Sequence, residues 1–188
     1  MKKLTLYSVV MFLTFGFCLI PYKSNSQEIK LSRQEQKEAR KTALYANFQS
    51  LDTLLGNKTF VLEADFLQNQ YGGPIPVTSL LNFIKVDNPR VVLQTGNNVT
   101  QGYNGVGGVT AEGDIQNWKI TKDLKRLNFR ISFSVTTNIG SYDVFILIGA
   151  NNTASATITG LTRGRLTYQG NIVAIYNSVV YKGQKTTI

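Results

Sequence analysis

The chain contains no histidine, and among its 188 residues there is one cysteine, Cys18. Without imidazole there is no Ser-His-Asp triad, no histidine acid–base catalysis and no zinc or iron site built on histidine. Cys18 lies in a segment read below as a removable leader. The chain that remains then has no disulfide, no thiolate nucleophile and no iron–sulfur cluster. Acids are also scarce, 11 against 20 lysines and arginines. The basic residues are scattered, with no block of about five or six like charges, which describes a solvated surface and not a nucleic-acid groove.

The first 26 residues read as a signal peptide. Lys2 and Lys3 form a basic start, Leu4 to Ile20 an apolar core, and Pro21 a break, followed by the small residues Ser24 and Ser26. Cleavage is expected between Ser26 and Gln27. The competing readings are a membrane anchor and a lipoprotein. Thr5, Ser8 and Thr14 interrupt the apolar run, and Phe17 stands where a lipidated Cys18 would need a small residue. The expected location is therefore periplasmic or secreted, with the membrane met only through the signal peptide. Loss of Lys2, Lys3 and Lys23 takes the formal charge from +9 to +6. About 160 residues remain, enough for a core that needs no disulfide.

Residues 27–57 read as an N-terminal amphipathic helix. Ser32 and Glu35 have the spacing of a capping box, and Leu44, Phe48, Leu51 and Leu55 lie on one face. Residues 58–188 change period. Phe60, Leu62, Ala64 and Phe66 alternate with other residues, as in a strand, and further strands are expected at 77–86, 91–95, 109–115, 118–121, 127–135, 142–148, 154–159, 165–168, 172–176 and 179–181. Leu127 to Val135 is the clearest half-buried strand. The segments 109–115 and 118–121 are read as one strand, with Gly113 a candidate bend in it. Short, evenly spaced strands with no intervening helix predict an all-β fold, an antiparallel barrel or strongly curved sheet of about eight strands with the helix packed on it. The segments 77–86 and 142–148 are apolar on both faces, and the helix stripe is the expected cover for that outer surface.

Five of the sixteen glycines fall between Gln101 and Ile115. The block lacks the Lys-Ser or Lys-Thr of a phosphate loop, and a strand follows it instead of a helix. Its glycines are better suited to bends or to a loop across a barrel mouth. Tyr103 and Asn104 are then candidates for a ligand-facing rim, with Trp118, Phe129, Phe133 and Tyr142 as aromatic lining. Glu63 with Asp65, and Glu112 with Asp114, share strand faces and are the only carboxylate pairs that suggest calcium binding or glycoside hydrolysis. Solvent-facing strand acids are the simpler reading. No metal site, cofactor or catalytic residue is assigned. The Asn-x-Thr triplets beginning at Asn57, Asn98 and Asn151 are read as chance matches.

Four segments, KTFVLEADFLQNQYGGPIPV (58–77), YNGVGGVTAEG (103–113), IGSYDVFILI (139–148) and ITGLTRGRLTYQG (158–170), together resemble the domain of unknown function 4251 family of exported bacterial proteins. The resemblance spans roughly Leu54 to Gly183, with the glycine block its most specific part. It implies an all-β, lipocalin-like domain behind a signal peptide and carries no assigned activity.

The leading expectation is thus a non-enzymatic envelope protein that binds a small apolar ligand in a barrel. A solid-cored interaction or scaffold module is the alternative. Hydrolysis through Glu112 and Asp114, and an outer-membrane barrel, rank below these. The partner is a small apolar molecule or an envelope protein, with no nucleic acid.

Overall fold

A computed structural model describes residues 32–97, 99, 102–160 and 164–186. The signal peptide, Cys18, the Ser26/Gln27 junction and the first residues of the expected helix lie outside the described residues. Contact density divides the chain after Gln36. In the first unit, the Glu35 N–H donates to Ser32 Oγ at 3.3 Å, and the Ser32 N–H donates to Glu35 Oε2 at 2.7 Å. This is the reciprocal box that its spacing predicted.

Helix α1 spans Arg33–Gly56 and buries Phe48, Leu51 and Leu55. It ends where Lys58, with φ 54°, enters the left-handed region. Nine strands follow: β1 Thr59–Asn69, β2 Ile75–Pro76, β3 Phe83–Asp87, β4 Arg90–Thr95, β5 Val109–Asp123, β6 Asn128–Thr137, β7 Gly140–Gly149, β8 Thr153–Gly160 and β9 Arg165–Ala174. From β3 onward each strand pairs antiparallel with the next, and β9 returns to β1 with Phe60 opposite Ala174. Eight strands therefore close a barrel, and the short β2 adds to the far end of β1.

Several expected strands are redrawn. Residues 77–82 are not strand, because the Thr78 carbonyl accepts from the Leu81 and Asn82 N–H groups and so forms a turn. The segments 165–168 and 172–176 fall in one strand, β9, which ends at Ala174, and 109–115 with 118–121 form the single strand expected. The bulge of β5 lies between Gln116 and Lys119, where Asn117 has φ 54°, and not at Gly113. The segment 179–181 does not join the sheet. After β9 a 3-10 turn at Ile175–Asn177 leads into an extended strap that crosses the outside of the barrel.

Alternation sorts each strand into an inner and an outer face. Phe60 and Leu62 (β1), Val91 and Leu93 (β4), Phe129, Ile131, Phe133 and Val135 (β6), Val144, Ile146 and Ile148 (β7), and Tyr168 (β9) meet in one interior cluster. The helix does not lie on the outer faces of the doubly apolar strands, as its stripe suggested. Phe48, Leu51 and Leu55 join the interior cluster instead. Phe48 stacks on Phe129 with centroids 4.4 Å apart. Asn47 donates to the Ala150 carbonyl and to Asn152 Oδ1, and Asp52 pairs with Lys122 at 2.6 Å. All these partners lie at the end of the barrel where β1 begins, so the helix plugs that end.

A different element covers the outside of β1, β3 and β4. Val61, Phe83 and Val92 form a small outer cluster with Val173, Ile175 and Val180. On β7 the outward Phe145 and Leu147 remain 48% and 42% exposed. The rest of that surface is polar, with Lys119, Arg130, Ser132, Ser134 and Thr157 outward. An apolar interior with a largely polar exterior reverses the pattern of a membrane-spanning barrel.

Candidate functional site

The end opposite the helix is open. A cavity of about 360 Å³ lies there, lined by Leu93, Val109, Ala111, Ile158, Leu166 and the rings of Tyr142 and Tyr168, with Asn69, Thr95 and Arg165 at its edge. Register explains the space. Leu93 sits opposite Ala111, and Tyr142 opposite Gly160, so a large side chain on one strand faces a small residue on the next. A Cβ on Gly160 would come within 3.2 Å of the Tyr142 ring.

The two tyrosines give the cavity its polarity. The Tyr168 hydroxyl is buried and donates to the Gln94 carbonyl at 3.1 Å. Burial pushes its ionisation well above the usual tyrosine range, and the neighbouring Tyr142 adds to this. Burial also raises Tyr142. Both hydroxyls stay protonated near neutrality and act as donors. Tyr142 has no hydrogen-bond partner among the described residues, whereas Tyr168 is already engaged.

The structure does not bring the other sequence candidates to this cavity. Tyr103 is 82% exposed on the glycine block, and none of the described residues of that block up to Gly108 lines the cavity. Asn104 is fully buried and fully bonded. Its Nδ2 donates to the Thr95 carbonyl and Thr110 Oγ1, and its Oδ1 accepts from the Val106 and Gly108 N–H groups. Trp118 stacks on Phe133 at 5.3 Å beneath the Lys58 ammonium, and Phe129 packs under the helix. These three rings fill the plugged half of the barrel. Of the six candidates, only Tyr142 lines the mouth. Sequence reasoning missed Leu93, Ala111, Ile158, Leu166 and Tyr168. The pairing of large with small residues would have marked them only once the strand register was known.

The glycine block is bound to the strap instead. Gln94, outward on β4 yet fully buried, donates to the Leu81 and Tyr181 carbonyls and accepts from Thr110 Oγ1 and the Gly183 N–H. The Gln184 N–H donates to the Asn104 carbonyl, and the Thr186 N–H to the Thr110 carbonyl. A Cβ on Gly108 would lie 2.2 Å from the Thr95 carbonyl oxygen, and one on Gly183 2.7 Å from that of Asn104. Close backbone approach, and not ligand contact, requires these two glycines.

Three of the four paired carboxylates are engaged in structural bonds. Glu63 accepts from Ser178 Oγ at 2.6 Å, and Asp65 accepts from Asn171 at 3.3 Å. Glu112 sits between Lys182 and Arg90, the latter at 3.0 Å. The hydrogen bond from Lys182, helped by both positive charges, holds its carboxyl below the usual range against partial burial. A general acid needs the opposite shift. Asp114 is exposed. Among the described residues no group of three or more acids is placed to hold a metal ion.

Geometry thus defines a class: a closed up-and-down β-barrel, plugged by a helix at one end and open to an apolar pocket at the other. The family model of the domain of unknown function DUF4251 matches residues 43–172, and the chain belongs to that family. A crystal structure of a DUF4251 family protein from Bacteroides eggerthii DSM 20697 is similar to it, with a TM-score of 0.59 and 31% identity over 71% of this chain and 91% of that one. No curated protein matches the chain.

Proposed function

We propose that this chain is exported to the periplasm or beyond and works there by holding a small, largely apolar molecule in the open end of its barrel, without chemistry of its own. The observation that carries this reading is the mouth cavity of about 360 Å³. It lies within the ~300–1,000 Å³ of small-molecule sites and has the expected lining, mostly apolar with a few polar groups. The signal-peptide pattern of residues 1–26 supports export.

The test is titration of a neutral, environment-sensitive naphthalene dye into the purified protein. One-to-one binding is expected. Ala111→Leu, which adds bulk to the pocket wall, should weaken it by about tenfold. Native mass spectrometry of protein from its own host should show a co-purifying small molecule. No dye binding, or binding indifferent to Ala111→Leu, would defeat the reading.

A second reading, an interaction module, rests on Phe145 and Leu147, which leave an apolar strip on the outside of β7. A stoichiometric envelope partner lost on Phe145→Ser would favour it.

A further inference from the structure

The cavity edge carries one charged side chain among its lining residues, Arg165, and no acid. Among the described residues Arg165 has neither an ion pair nor a hydrogen bond, while Arg90, Lys85, Lys122 and Lys182 are all paired with carboxylates. Tyr142, whose hydroxyl likewise has no hydrogen-bond partner among the described residues, lines the same space. Further in, the wall is apolar: Leu93, Ala111, Ile158 and Leu166.

An apolar shaft with a guanidinium and a hydroxyl donor at its mouth, both without a partner among the described residues, suits a ligand with a greasy chain and an anionic, acceptor-rich end. The guanidinium fork matches a carboxylate in particular. At about 360 Å³ the space lies near the lower limit for such sites, which points to a single chain and not a two-chain lipid.

We propose that the ligand is a single-chain amphiphile with a carboxylate head. Its chain lies along Leu93, Ala111, Ile158 and Leu166, and its head lies between Arg165 and the Tyr142 hydroxyl. This rests on the mouth being a binding cavity, and the experiment separates the two. Calorimetric titration compares decanoate, decanol and decyltrimethylammonium, which share a chain and differ in head. Decanoate should bind roughly threefold to fivefold more tightly than decanol, the scale of an exposed ion pair, and added salt should shrink the difference. The decyltrimethylammonium ion should bind most weakly. Arg165→Gln should bring decanoate level with decanol and leave decanol within about twofold. Tyr142→Phe should weaken both, since a hydroxyl head also accepts. The midpoint of thermal unfolding should be unchanged in Arg165→Gln, whose side chain is exposed. Equal binding of decanoate and decanol by the unmodified protein would overturn the head assignment and leave the cavity reading standing. Binding of neither would overturn both.

Discussion

Asn104 shows how one side chain can organise a loop that lacks regular structure. Its amide makes four hydrogen bonds, and three of them go to backbone groups of the loop and of β4. Truncation therefore removes bonds and strands their partners, and the second effect is the larger. Asn104→Ala should cost about 3 kcal/mol, read as a lower denaturant midpoint at unchanged slope. Tyr168 sets a different limit. Its ionisation is raised by burial, so the folded state holds the neutral hydroxyl more tightly than the unfolded chain does. The stability this contributes is complete below the ordinary tyrosine value of 10.0 and falls as pH rises beyond it. Stability curves should drop above about pH 10, and Tyr168→Phe should flatten the drop while costing ~1 kcal/mol at neutral pH for the bond to Gln94.

At the scale of elements, the strap after β9 behaves as part of the fold although it has no strand pairing. It covers Val61, Phe83 and Val92 and supplies two of the partners of Gln94 and the partner of Glu63. Deleting residues 178–188 should lower stability by at least about 3 kcal/mol, since it exposes apolar surface and leaves Gln94 without two of its partners. The truncated protein should also bind a hydrophobic-surface dye on its outer face while its far-ultraviolet spectrum stays β-rich. An unchanged unfolding midpoint would show that the strap is only a tether. The helix was legible from its box and stripe, because both depend on neighbours three or four residues apart. The strap was not. Val179, Val180 and Tyr181 look like a strand, and only the barrel surface beneath them decides that they lie across strands instead of beside one.

The whole molecule is a barrel whose two ends have different fates. One is filled by Phe48, Leu51, Leu55 and the Trp118–Phe133 stack. The other stays open where Ala111 and Gly160 face larger neighbours. Alternation along Leu127 to Val135, turn residues at even intervals and the lack of histidine and of a thiol after the expected leader follow from the chain alone. Together they determined the all-β class, the approximate number of strands and the chemistries excluded, because side-chain period, turn preference and composition are local properties. Closure of β9 on β1, the helix as plug, the strap as cover and the pairing of large with small residues at the mouth were decided only by tertiary structure. Each depends on which residues stand opposite one another across long stretches of chain, and a two-residue period is the same in every even register.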